Sequence, residues 1–371
     1  MFAAQRAGEG GTMVLPHTYV AAVLLAILSM LCWGSWANSY KLTGKWRFEL
    51  FYWDYALGVL LVGVVAALTF GSLGFDGFLF TDDLLNAGRR PLVYGLAAGV
   101  TFNLGNMLLL AAIAVAGMSV AFPVGMGLAL IVGVVWNQIL KPSGNPTLLF
   151  AGSLLVVAAI LLETAVYRAM SRSRYEGLIK AGKTRSTKPK ASWKAILVSV
   201  PAGLLIGSSW PLVDLSKQGG LGPYSIGCLF AAGIFFSTLA CNIFFMNLPV
   251  EGEPVEFRDY FRGRSSQHLL GVLGGAVWAT GLLAVLVVSS ATKPLEGAAA
   301  LDLAAPGEPL LNPAIGYALA QAATLLAALW GLVVWRECRG AEMRVRAMVT
   351  LAFALFAGGL ALVAIAPLYV G

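Results

Sequence analysis

Three acids lie inside long apolar stretches of this chain: Asp54, Glu163 and Asp214. A carboxylate is costly to bury in hydrocarbon, so an acid kept there is a candidate for taking up and releasing a proton. Asp54 stands among Glu49, Trp53 and Tyr55, about two turns into its helix, where Lys41 or Lys45 is an alternative ion-pair partner. Glu163 and Asp214 lie near the ends of their stretches, where a solvated position is the simpler expectation. Amides form a second set: Asn38, Asn103, Asn106, Asn242 and Gln321, with Asn137 and Gln138 at the close of a fourth apolar stretch. An amide donates and accepts at once, which suits a neutral ligand rich in N–H and C=O groups. Asn103 and Asn106, three apart, share one helix face. Trp33, Trp36, Trp53 and Trp210 offer flat surfaces for a planar ring, with Ser35 between the first two. Each amide has an alternative use in joining helices, worth about 0.6 kcal/mol per hydrogen bond.

The elements that must carry these residues are membrane spans. Hydrophobic residues make up 58% of the chain and charged residues 12%, against about 25% charged in a soluble domain. A helical span needs roughly 20 mostly apolar residues. Such stretches are expected at 17–39, 48–70, 91–113, 118–140, 147–166, 195–216, 222–247, 268–291, 314–335 and 345–369. Backbone groups find no water in lipid, and runs this continuously apolar satisfy them as helices. Pro123 in the fourth span and Pro211 in the sixth are candidate kinks.

Between the fifth and sixth spans, Arg168–Lys194 carries nine basic residues against the single acid Glu176. Lys- and Arg-rich loops stay in the cytoplasm. With this linker inside and ten spans alternating, both termini lie outside. Nineteen of the 25 Lys and Arg residues then fall on the inner side. That asymmetry accounts for the net charge of +7 without nucleic acid, and a basic inner face suits anionic lipid. The expected organisation is an N-terminal tail (1–16), a five-helix repeat (17–166), a basic linker (167–194) and a second five-helix repeat (195–371). Five spans per half invert the second copy in the membrane, as in many transporters. Ser35-Trp36 aligned with Ser209-Trp210, and Val134-Val135-Trp136 with Val333-Val334-Trp335, give the repeat modest sequence support. Met13 is a second candidate start.

Other chemistries find little footing. His17 and His268 start spans without the spacing of an intramembrane hydrolase, and the four cysteines form no metal or disulfide pattern. Gly177 to Thr184 matches the phosphate-loop pattern, but no buried strand precedes it and no amphipathic helix follows. No metal and no cofactor is expected.

Three motifs carry a family resemblance: Leu31-Cys32-Trp33-Gly34-Ser35-Trp36-Ala37-Asn38, Trp46 through Tyr55, and Gly117 through Gly125. They resemble the ureide permease family of the drug/metabolite transporter superfamily, and the likeness extends over nearly the whole chain. The resemblance implies proton-coupled uptake of neutral, amide-rich heterocycles: allantoin, uracil and xanthine-like compounds. It makes the proton gradient the energy source and a small molecule the partner, with a homodimer open as an oligomeric state. The Ala- and Gly-rich composition suggests a bacterial inner-membrane member. An exporter or sugar porter on the same fold is the alternative, and a non-transporting scaffold or sensor the alternative of another class.

Overall fold

The computed structural model describes residues 13–73, 79–140, 145–180, 192–250, 252–292, 309–311, 313–337 and 341–369. Every regular element among them is helical. In chain order these are α1 (Tyr19–Ser35), α2 (Ala37–Leu42), α3 (Phe48–Leu68), α4 (Phe80–Asn86), α5 (Arg89–Ala116), α6 (Met118–Leu140) and α7 (Pro146–Lys180). The second half holds α8 (Ser192–Gln218), α9 (Pro223–Asn247), α10 (Phe257–Phe261), α11 (Ser265–Ser290), α12 (Pro313–Leu329) and α13 (Met343–Ile365). A π-helical turn, Trp330–Val334, extends α12.

Among the described residues, eight helical segments are long and apolar enough to cross a membrane, α1 and α2 together forming the first. Two shorter apolar helices, Val120–Trp136 within α6 and Leu319–Val334, accompany them. The protein is a multi-pass integral membrane protein. Many apolar side chains remain exposed, Leu24, Leu61, Phe150 and Phe236 among them, as a lipid-facing surface requires.

Small residues set how closely the helices pack, since lipid tails are as apolar as leucine and supply no drive for helices to associate. A Cβ on Gly58 would overlap the Val272 carbonyl, and one on Gly275 the Tyr55 carbonyl, which locks α3 against α11. Gly99 meets the Phe230 carbonyl and Gly233 the Leu96 carbonyl in the same way, locking α5 against α9. Gly152 of α7 and Gly359 of α13 face each other's carbonyls.

One helix break falls where small residues precede an indole, whereas α8 runs unbroken through Ser208-Ser209-Trp210. The first span is interrupted at Trp36, directly after Gly34-Ser35. Pro123 lies within α6, and Pro201 and Pro211 within α8, without ending either helix. Beyond the apolar part of α7 the helix continues to Lys180, through the first half of the basic linker. Its Ala, Met, Arg, Glu, Leu and Lys residues are good helix formers and need no membrane to stay helical. Gly177 is therefore helical where a phosphate loop would turn; Gly182-Lys183-Thr184 lie outside the described residues, as does Cys338.

Asp83 of α4 accepts a hydrogen bond from the Gly222 N–H at 2.7 Å, at the start of α9. Burial raises its carboxyl above the ordinary carboxylate value, against the opposing pull of the hydrogen bond from Gly222. Met13 is buried nearby with Ala66 and Tyr224.

The glycine crossings make a direct prediction. Gly99→Ala should lower the thermal unfolding midpoint in detergent, at a cost of about 1–3 kcal/mol for overpacking. Gly133→Ala, whose Cβ meets nothing within 4 Å, should leave the midpoint unchanged or raise it. Equal midpoints for the two variants would refute the close crossing of α5 and α9.

Candidate functional site

One cavity lies between the two halves, lined from α1, α5, α6, α8, α9, α11 and α12. It is small, about 50 Å³ measured to the centres of water-sized spheres. One water needs roughly 10–15 Å³ on that measure, so the site as built holds a few waters, and a heterocycle must widen it.

Its walls are aromatic. Trp33 packs against Trp210 at 5.8 Å between ring centroids and stacks on Trp278 at 6.3 Å. Phe102 meets Trp278 at 4.5 Å. Trp36, at the helix break, packs on Tyr55 and Phe122. The Trp33 indole N–H donates to the Trp278 carbonyl at 3.2 Å. Among the described residues, none accepts from the indole N–H of Trp36, Trp210 or Trp278, and none bonds the Gln321 amide. Asn106, only 1% exposed, and Gln321 bring the amides. No charged side chain is among the lining residues.

Of the residues singled out from sequence, Trp33, Trp36, Asn106, Trp210 and Gln321 meet at this cavity. Asn103 does not line it. Its amide is engaged by Tyr52, Ser237 and Thr238. Ser35 and Asn38 turn toward the π-helical end of α12: Ser35 Oγ accepts from the Trp330 indole at 3.0 Å, and Asn38 Oδ1 from the Trp335 indole at 2.7 Å. Trp53 packs on Phe257 of α10, away from the cavity. Asn242 donates to the Glu49 carbonyl, joining helices. Gln138 is engaged within the chain, and the Asn137 side chain lies outside the described residues.

The three acids have separate surroundings. Asp54 is buried and pairs with neither Lys41 nor Lys45. Its Oδ1 accepts from the Tyr260 hydroxyl at 2.7 Å, and its Oδ2 lies 2.8 Å from His268 Nδ1. Trp46 packs edge-on to His268. Burial and the adjacent Asp54 carboxylate both raise the Tyr260 phenol above its ordinary value, so it remains a donor. Glu163 is 3% exposed, not solvated, because its face of α7 packs on α13 beside Val166, Val345 and Val349. Asp214 is exposed near the end of α8.

Sequence reasoning missed several groups. Phe102, Phe122 and Phe230 line the cavity but stand in apolar runs that give them no contrast. Trp278 carried the same signal as Trp33, an indole deep in a span. Glu337, in the loop after the π turn, accepts from Lys41 Nζ at 2.8 Å and from the Met118 N–H at 3.0 Å. It thus ties α2 to the positive N-terminal end of α6. Arg47 holds the fully buried Glu49 with two hydrogen bonds, 2.7 and 3.1 Å, a fork suited to carboxylate.

The chain is a multi-pass helical membrane protein with an uncharged cavity lined by aromatic and amide side chains. The ureide permease family profile matches residues 51–199, and curated relatives extend the likeness. Ureide permease 2 of Arabidopsis thaliana is 25% identical over 384 residues, covering 86% of this chain and 89% of its own length. Ureide permease 1 of the same plant is 28% identical, covering 59% of this chain and 58% of its own. The chain is thus similar to the ureide permeases, a family of transporters, over the matched profile and along most of its length. A solved crystal structure superposes with a TM-score of 0.51 at 17% identity, covering 92% of this chain and 96% of its own. That likeness concerns the fold alone.

The Lys41–Glu337 contact is testable. The two side chains are 23% and 10% exposed, so a double-mutant cycle with Lys41→Ala and Glu337→Ala should give a coupling of about 1 kcal/mol or more. A coupling near zero would make the pair a screened surface contact and remove the tie between α2 and α6.

Proposed function

We propose that this protein is a secondary transporter that takes up a neutral ureide, such as allantoin or a related oxo-purine or oxo-pyrimidine, using the proton gradient. The observation that carries this reading is the convergence of Asn106 and Gln321 with Trp33, Trp36, Trp210 and Trp278 on one cavity. Indoles suit a planar ring, amides suit N–H and C=O groups, and the lack of lining charge suits a neutral ligand. The substrate class agrees with the names of the plant relatives. One of them is matched over 58% of its length and another over 89%.

For the proton, Asp54 is the favoured carrier. It sits on α3, the helix whose Tyr52 and Tyr55 hydrogen-bond to Asn106, so a change at Asp54 reaches the cavity through one rigid element. His268 and Tyr260 stabilise the ionised carboxylate, and protonation would release them. Glu163, buried on α7 away from the cavity, is the second candidate. Asp214 is the weakest, being exposed.

The reading includes ten spans in two inverted repeats, and three features support it. First, exchanging the halves maps the packing onto itself. Thus α1 against α12 corresponds to α8 against α6, α1 against α11 to α8 against α5, and α3 against α11 to α9 against α5. Second, the Gly58 and Gly275 contacts correspond to those of Gly233 and Gly99. Third, the Trp330 indole donates to Ser35 on one side, and the Trp136 indole donates to Ser208 at 3.3 Å on the other. In this register Trp136 corresponds to Trp330, not to Trp335, and Ser35 to Ser208, not to Ser209. The basic linker is assigned to the cytoplasm and both termini to the outside. A bacterial inner membrane remains part of the proposal, although the named relatives are plant proteins, and so does anionic lipid beside the linker.

The test is uptake of labelled allantoin into proteoliposomes with the outside acidified. Accumulation should exceed equilibration and collapse with a protonophore. Asp54→Asn should keep allantoin exchange across the membrane and lose the gradient-driven excess. Full accumulation by Asp54→Asn would overturn its proton role, and the absence of any allantoin flux through folded, oriented protein would overturn the substrate.

A further inference from the structure

The amide of Asn106 is held by a chain of hydrogen bonds that begins on the backbone of α9. Each link leaves the next group one choice. Ser237 gives its hydroxyl proton to the Gly233 carbonyl at 2.6 Å. Thr238 gives its proton to the Ile234 carbonyl at 2.8 Å, a shorter bond than its 3.4 Å approach to Asn103. Both hydroxyl oxygens are then left to accept, and Asn103 Nδ2 donates to them at 2.9 and 3.1 Å. That fixes Asn103 with its Oδ1 toward α3, where it accepts the Tyr52 hydroxyl proton at 2.9 Å. Tyr52 has no second proton, so its oxygen accepts from Asn106 Nδ2 at 3.1 Å. The Tyr55 oxygen accepts from the same nitrogen at 3.1 Å.

Asn106 thereby commits its donor to the tyrosines, and Oδ1 is the polar atom left for the cavity it lines. A freely rotating amide would accommodate either a donor or an acceptor. This one is set as an acceptor, because flipping it would bring a carbonyl oxygen against a tyrosine whose proton is already spent. Every member of the chain is buried or partly buried, where an unmade hydrogen bond is most costly.

The geometry points to Asn106 as a fixed acceptor for an N–H of the ligand, with Asn103 and Tyr52 as the positioning residues that set it. The site therefore selects a lactam, urea or imide N–H and rejects the same ring methylated at that nitrogen. The identity of the ring rests on the ureide reading; the orientation of Asn106 does not.

Two measurements test this separately. In protein carrying ¹⁵N at asparagine side chains, the Asn106 amide signal, identified by its loss in Asn106→Leu, should move in Tyr52→Phe. An unmoved signal would overturn the chain whatever the ligand. Binding of hydantoin, 1-methylhydantoin and 3-methylhydantoin, followed by tryptophan fluorescence, tests the selection. The wild type should lose about ten- to hundredfold in affinity for one of the two methylated rings, the cost of leaving a buried acceptor unmade. Tyr52→Phe frees the amide to flip and should shrink that preference to within about threefold. Tyr55→Phe removes only the second acceptor of Nδ2 and should keep most of the preference. Equal loss in both tyrosine variants, or equal binding of all three rings by the wild type, would overturn the proposal. A moved amide signal with no hydantoin bound would refute the ureide reading and leave the orientation of Asn106 standing.

Discussion

Hydrocarbon offers no hydrogen bonds, and the architecture follows from that constraint. Backbone groups must be satisfied within each segment, which makes the spans helical. Side-chain amides and hydroxyls deep in the protein must find one another, which joins α9, α5 and α3 into a single bonded array from Ser237 to Tyr52. Association itself comes from close packing and not from expulsion of water. The helices meet where glycines let backbone approach backbone, at Gly58, Gly99, Gly233 and Gly275. Those crossings hold α5, α9 and α11 at the cavity with α3 packed against them, and the polar array sets the Asn106 amide that lines it.

The cavity combines flexibility of access with rigidity of recognition. At about 50 Å³ it is narrow, and movement of the surrounding helices would widen it. Two departures from regular helix lie beside it: the break in the first span at Trp36, and the π turn at Trp330–Val334, where the indoles of Trp330 and the adjoining Trp335 donate to Ser35 and Asn38. Local departures from α-helical geometry of this kind concentrate at functional sites. In the proposed binding mode recognition rests on Asn106, whose amide is braced from two tyrosines on α3.

Eight of the ten expected spans were legible because continuous apolar runs leave no alternative in lipid, and their ends were foreseen to within a few residues; at 118–140 and 314–335 the apolar helical stretches are shorter than a span. The α7 helix runs further because nothing in Arg168–Glu176 stops a helix outside the membrane. Indoles and amides deep in apolar runs were legible by rarity, which brought Trp33, Trp36, Trp210, Asn106 and Gln321 into view. The facing of each helix was not legible. Asn103 and Asn106 share a face and a network, yet only Asn106 reaches the cavity, while Ser35 and Asn38 serve the contact with the end of α12. Long-range pairs were invisible for the same reason. Nothing near Asp54 in sequence announces His268 or Tyr260, and nothing near Lys41 announces Glu337.

The proposed function rests most directly on binding of the ligand in the cavity lined by Asn106. Equilibrium binding of labelled allantoin to purified protein, compared among wild type, Asn106→Ala and Trp53→Ala, tests it without a gradient. Saturable binding that falls at least tenfold in Asn106→Ala and persists in Trp53→Ala is the expected result. Saturable binding that survives Asn106→Ala and is lost in Trp53→Ala would move the site to the α3–α10 face and contradict the account.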